Sequence, residues 1–108
     1  MSSTPRLSII IINWNTRELV CEALQSIFAN PPGVSFEVIM VDNASEDDSA
    51  DRVAMLFPAV RLIRNGRNEG YAKANNQGAT VAKGEIIFLL GSDVVVIDDS
   101  MQKMFDYL

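Results

Sequence analysis

Four apolar runs of strand length recur along the chain: Leu7–Ile12 (LSIIII), Phe36–Val41 (FEVIMV), Val60–Ile63 (VRLI) and Glu85–Leu90 (EIIFLL). The first is rich in β-branched residues, which suit a pleated, packed surface, and reads as a central strand. Between successive runs lie segments that each hold one helix of about 12 residues. The order β-α-β-α-β-α-β restricts the chain to a parallel, doubly wound sheet with right-handed crossovers. The expected architecture is a three-layer α/β/α, Rossmann-like domain with a mainly parallel sheet.

The connecting segments carry their own signals. Asn15 is expected to cap the first helix, with Glu18 completing a capping box; Leu19, Val20, Ala23, Leu24, Ile27 and Phe28 form its apolar stripe. Asn30-Pro31-Pro32-Gly33 stops it. Ser45 with Asp48 is expected to cap the second helix, whose inner face is Val53, Leu56 and Phe57, and Pro58 ends it. The third helix is expected over Gly70–Ala82, closed by Lys83-Gly84, with the glycine free to turn left-handed. The uninterrupted EIIFLL run is expected to be covered on both faces. Val94–Ile97 extends onward, and Asp98-Asp99-Ser100 is expected to cap a last helix.

A parallel sheet of this kind puts every strand-to-helix loop on one edge, where open α/β sheets keep their ligands. Those loops contain Asn13-Trp14-Asn15, Asp42-Asn43-Ala44-Ser45, Asn65–Gly70 and Gly91-Ser92-Asp93. The opposite loops hold Pro31-Pro32-Gly33, Pro58 and Lys83-Gly84, turn formers with little chemistry. The polar groups are therefore gathered on one side, and Asn65–Val96 contributes most of them.

Several chemistries are excluded. The chain has no histidine, so an imidazole base or ligand is ruled out within it. No strand is followed by a P-loop, and asparagines stand where a GxGxxG fingerprint would follow the first strand. Asn13 and Asn15 replace the acidic pair of a phospho-receiver, and no serine-hydrolase elbow is present. A net charge of −5 argues against a nucleic-acid surface, although one phosphate site needs only local positive potential or a bridging cation. Cys21 is the single cysteine, so no internal disulfide forms; it reads as structural and fits a reducing compartment. The apolar run near the start is too short for a transmembrane segment or a signal peptide.

Asp42 and Asp93 remain as candidate site groups. Asp42 suits a ring N–H or a ribose hydroxyl. Asp93 suits a hard divalent cation that also bridges phosphates, since Mg²⁺ and Mn²⁺ accept few carboxylates and several other oxygens. Each aspartate equally reads as a turn or helix cap. Asn68, Asn75 and Asn76 read as capping and packing groups on the same footing, and Trp14 as a partly buried anchor.

Taken together, LSIIIINWN (Leu7–Asn15), VDNAS (Val41–Ser45) and NEGYAKANNQGATVAKGEIIFLLGSD (Asn68–Asp93) resemble the family 2 glycosyltransferases of the GT-A fold. The motifs stand in the family's order and spacing over nearly the whole chain. GYAKANNQG is most similar to the rhamnosyltransferase-type branch. The resemblance implies that residues 1–108 form a nucleotide-sugar-binding half, truncated from a longer domain, that acts in polysaccharide biosynthesis. The donor would be a UDP- or dTDP-sugar, the reaction an inverting, hexosyl-type transfer, and the acceptor a carbohydrate or a lipid-linked one. By the same resemblance Asp42 meets the nucleobase and Asn15 lines the base pocket. Asn68, Gly70 and Asn76 lie near the ribose and diphosphate, and Asp93 is the last aspartate of a DxD motif holding Mg²⁺ or Mn²⁺. Asn13, Asn43 and Ser92, on the same loops, complete the expected substrate-binding set.

Two departures stand out. Gly91 occupies the first DxD position, leaving one side-chain ligand. The family's catalytic base lies in the part that follows, and no residue here is assigned that role. Asp98 and Asp99 read as helix caps. A non-enzymatic nucleotide-binding or regulatory module is the alternative. The expected setting is the cytoplasm, or the inner face of the membrane for a longer, peripheral protein, and the truncated sheet edge is expected to self-associate.

Overall fold

The computed structural model describes residues 4–96, 100, 101 and 103. Its elements are β1 (Leu7–Asn13), α1 (Arg17–Ala29), β2 (Phe36–Asp42), α2 (Ser49–Leu56), β3 (Arg61–Arg64), α3 (Tyr71–Val81) and β4 (Ile86–Leu90). The strands form one parallel sheet in the order β3-β2-β1-β4. β1 is central, as its composition suggests: Ile9 pairs with Val38 on one side and Phe88 on the other.

The two-residue period of β1 builds the layers. Leu7, Ile9 and Ile11, with Val38 and Met40 of β2, face a layer made by Val20, Leu24 and Ile27 of α1 and Val53 of α2. Ile10 faces the opposite way, toward α3. There Gly78 permits the close approach: a Cβ at this position would lie 2.7 Å from Ile10 Cγ2. Leu7, Ile9, Ile10 and Ile11 are all fully buried. Each is worth about 1.5–3 kcal/mol of apolar burial, so β1 anchors the domain. The expected three-layer α/β/α fold with a parallel sheet is thus the one adopted.

The chain steps from β1 to β2 to β3 with α1 and α2 on one face. It then crosses the other face through α3, which packs on β1 and β2, to lay β4 beside β1. Strand order reverses between β1 and β4. That reversal opens a crevice at the strands' C-terminal ends.

Several local expectations are corrected. β4 is an edge strand among the described residues and is covered on one face only. Ile86, Phe88 and Leu90 pack on the core, whereas Ile87 is 41% and Leu89 55% exposed, because α3 sits over β1 and β2. Gly84 is not left-handed, and α3 ends at Val81 with an extended Ala82. Gly84 answers a steric demand: a Cβ there would lie 2.6 Å from Ser8 N and 2.6 Å from Ser8 Oγ. Neither expected cap forms. Thr16, not Asn15, precedes α1, and a left-handed Asp48 precedes α2, both without a side-chain cap bond.

The apolar stripes shift as well. Leu19 is exposed, and Phe28 lies at the margin of the core, its ring against Phe36 and Phe57. α2 turns Ser49, Ala50 and Val53 inward, which leaves Leu56 half exposed. Beyond β4, Val94–Val96 forms no strand; Val96 and Met101 rejoin the core on the α1 face. Ile97 and the expected capping residues Asp98 and Asp99 lie outside the described residues, while Ser100 and Met101 are helical.

Candidate functional site

At the end of β1 the fully buried Asn13 donates through Nδ2 to Asp42 Oδ1 at 2.8 Å and to Ser45 Oγ at 3.2 Å. Ser45 also serves Asp42, its hydroxyl donating to Oδ1 at 2.7 Å and its N–H to Oδ2 at 3.0 Å. Asp42 is 4% exposed and terminates β2 with three hydrogen bonds from the protein, as a buried carboxylate requires. Asn15 sits at φ +53°, which turns its backbone N–H onto Ser45 Oγ at 2.9 Å and lets its Oδ1 accept from Glu46 N at 2.7 Å. The β1 and β2 loops are thereby laced together.

Asn43 does the same for the β2 and β3 loops. Its Oδ1 accepts from Asn65 Nδ2 at 2.8 Å and Glu69 N at 3.3 Å, and its Nδ2 donates to Gly70 O at 3.3 Å. Asn65 and Gln77 exchange two amide hydrogen bonds, each 2.8 Å, which pins the loop to α3. Asn68 Oδ1 accepts from Gly70 N at 2.8 Å, and Gly70 at φ +87° makes the turn into α3 that a side chain would strain. Lys73 and Arg67 pair with Glu69 and lower its carboxyl below the usual range.

The crevice between these loops has a volume of about 430 Å³. Ile12, Trp14, Thr16 and Leu19 line one wall, Asn43, Asn68 and Tyr71 a second, and Gly91-Ser92-Asp93 the third. A smaller hollow of about 240 Å³ lies on the far side of the β2 loop, lined by Asp42, Ala44, Ser45, Arg64 and Asn65 among others. Of the nine expected substrate-binding residues, the crevice gathers Asn43, Asn68, Ser92 and Asp93. Asp42 faces the neighbouring hollow. Asn13, Asn15, Gly70 and Asn76 line neither; Asn76 is exposed on α3, its carbonyl accepting from Thr80 Oγ1 at 2.8 Å.

Sequence reasoning undervalued four residues here. Trp14 is 55% and Tyr71 61% exposed, and both rings border the crevice; Trp14 is not the partly buried anchor expected of it. A half-exposed tryptophan is uncommon enough to be informative. Leu19 escaped notice because it fits the apolar stripe of α1. Thr16 donates to Asn13 Oδ1 at 2.5 Å, and its Oγ1 lies 3.2 Å from Ser92 Oγ.

The donor set bears on a cation. Among the described residues no group of three or more acidic, cysteine or histidine side chains comes together. The described residues alone therefore form no cage of such side chains around a metal. The exposed Asp93 borders the crevice, and no hydrogen bond from the described residues occupies its carboxylate. Its Oδ1 folds over Gly91, 3.0 Å from where a Cβ would stand. One free carboxylate fits Mg²⁺ or Mn²⁺ when phosphates and waters supply the other oxygens.

The family model described as "Glycosyl transferase family 2" matches residues 8–108. The succinoglycan biosynthesis protein ExoO of Rhizobium meliloti is 33% identical over 107 residues, covering 98% of this chain and 30% of the relative. Glycosyltransferase GlyG of Streptococcus pneumoniae is 29% identical over 102 residues, covering 92% and 34%. Among solved structures, the mannosyltransferase PcManGT of Pyrobaculum calidifontis, in complex with GDP-Man and Mn²⁺, superposes with a TM-score of 0.77 at 28% identity. It covers 92% of this chain and 30% of its own. TarS of S. aureus in complex with UDP superposes with a TM-score of 0.78 at 24% identity, covering 94% and 30%, a likeness of fold. The chain spans about a third of these relatives' length.

Proposed function

The chain belongs to glycosyl transferase family 2, and on that premise we propose that it binds a nucleoside-diphosphate sugar as the donor side of an inverting sugar transfer. One observation carries the reading. The crevice at the strand-order reversal joins two exposed aromatic rings to a carboxylate that no hydrogen bond from the described residues occupies. Trp14 and Tyr71 offer flat apolar surface to a base or sugar, and Asn43 and Asn68 offer polar edges. Asp93 stands where a cation shared with the diphosphate would sit. PcManGT, with its GDP-Man and Mn²⁺, supports a nucleotide sugar and a divalent ion as ligands of this fold.

In such a transfer the acceptor hydroxyl, giving up its proton to a base, attacks the anomeric carbon as the bond from that carbon to the phosphate oxygen breaks. The nucleoside diphosphate then leaves. A divalent ion would neutralise charge building on the departing phosphates. This chain's own part is to hold the donor: rings against the base, Asp93 toward the phosphates, and Asp42 fixing the loop beneath. Asp42 Oδ2 accepts one bond, from Ser45 N, and keeps lone-pair capacity toward the neighbouring hollow. UDP and dTDP are the preferred nucleotides, the rhamnosyltransferase-like branch the preferred relative, and a carbohydrate or lipid-linked hydroxyl the preferred acceptor. No helix among the described residues is long and apolar enough to cross a membrane.

Titration with UDP, dTDP and GDP, with and without Mn²⁺, tests this. Binding of at least one diphosphate, strengthened by Mn²⁺, is expected. Absence of binding to all three would overturn the reading. Gly91 favours a second one, a nucleotide-binding module without transfer, in which binding would be indifferent to Mn²⁺.

A further inference from the structure

We propose that Thr16 is a positioning residue that holds the Gly91–Asp93 turn in register with the Asp42 end of the site. The inference rests on the nucleotide-sugar reading above and assigns a role within it to a side chain outside the expected set.

Thr16 occupies the position before the first turn of α1, where a threonine hydroxyl ordinarily accepts from a backbone N–H of that turn. It does not do so here. The Asp47 carboxylate, from the loop before α2, accepts from Arg17 N at 2.9 Å instead. Thr16 is thereby released from capping, and its hydroxyl turns toward the crevice. It donates to Asn13 Oδ1 at 2.5 Å, which spends its one proton. Across the 3.2 Å to Ser92, the serine hydroxyl must then be the donor.

The result is a chain of side-chain hydrogen bonds along the C-terminal edge of the sheet, Ser92 to Thr16 to Asn13 to Asp42. It starts in the turn after β4, passes the end of β1 and finishes on β2. The Asn13 and Asp42 part is buried and satisfied, so it is stiff. The turn after β4 is not. Among the described residues β4 is an edge strand, and the turn's internal bond is Val94 N to Gly91 O at 3.2 Å. The next ties to α1 come at Val96, through Ser26 and Asn30. Thr16 is therefore the link between the stiff end and the residue beside Asp93. Asp93 is the single acidic side chain that the described residues bring to the crevice, so where its carboxylate stands decides whether cation and phosphates meet it together.

The test uses Thr16→Val, which keeps the shape and loses the hydroxyl, and Thr16→Ser, which restores it. Neither removes a helix cap. In the absence of ligand, the backbone amide NMR signals of Ser92 and Asp93 should move in Thr16→Val and stay near the parent in Thr16→Ser. With Mn²⁺ present, UDP affinity should fall about fivefold in Thr16→Val while uridine affinity changes less than about twofold, and Thr16→Ser should recover UDP binding. Equal losses for UDP and uridine would make Thr16 a general structural residue and overturn the inference. So would unmoved signals at Ser92 and Asp93, or unchanged UDP affinity. A parent chain that binds no nucleoside diphosphate would remove the nucleotide reading and the positioning role with it. The ligand-free signals would then still report whether the tie exists.

Discussion

At Asp47 one carboxylate serves two helices: Oδ2 accepts from Arg17 N at the start of α1, and Oδ1 accepts from Ser49 N at 3.0 Å and from the Ser49 hydroxyl at the start of α2. Burial alone would raise this carboxyl, but the bonds from Ser49 and Arg17 together hold it below its ordinary value. A lowered folded-state value means the bonds stabilise the fold fully above the usual carboxylate range of about 3.9 and are lost as pH falls through the lowered value. Asp47→Asn should therefore be less stable than the parent at neutral pH. The gap should narrow as pH drops below about 4, which denaturant titrations across pH would reveal. At Asp93 the expectation concerns ligands. Asp93→Ala should weaken UDP binding in the presence of Mn²⁺ by about tenfold, leave uridine nearly untouched, and not lower thermal stability, because no bond from the described residues depends on its carboxylate. Equal loss for both ligands would assign Asp93 to the fold instead.

Among the elements, the strands were the most legible. β-branched and apolar runs marked all four, and their alternation with helices led directly to the sheet. Helix starts were misread at Asn15 and Ser45 because capping signals are local, whereas Asp47 supplies its cap across the gap between two helices. Burial of β4 was overestimated since an apolar run looks alike in a central strand and in an edge strand whose cover lies elsewhere. The crevice walls were half legible. Polar loops announce themselves, but Trp14, Leu19 and Tyr71 look like core until the backbone turns them outward. The Asn65–Gln77 amide pair was invisible, since nothing in sequence signals a partner on the next helix. Asn65→Ala and Gln77→Ala should each cost about 1–2 kcal/mol. The double variant should cost less than their sum by about 0.5–2 kcal/mol. Strict additivity in a double-mutant cycle would show the pair to be uncoupled.

Over the whole molecule, the uncovered face of β4 and the exposed Val94 and Val95 leave apolar surface at one side of the sheet. An open edge of this kind favours pairing between copies. The 108-residue chain should therefore self-associate as concentration rises, and Leu89→Lys should reduce this; light scattering that reports one monomeric mass throughout would contradict it. It should also fail to transfer sugar unaided, since it spans only about a third of its relatives and no described residue is assigned as the base. Turnover from a nucleotide sugar by the purified chain would refute that expectation. The strand order has a further consequence in time. Leu7 meets Phe36 early along the chain but meets Ile86 only after α1, β2, α2, β3 and α3 have been made. Closing the longer loop costs more chain entropy, so β1, β2 and β3 are set to associate first and β4 to dock last. Since one wall of the crevice belongs to the turn after β4, the capacity to hold a ligand is born in that final step. A nascent chain leaving the ribosome would pair β1, β2 and β3 before it acquired its site.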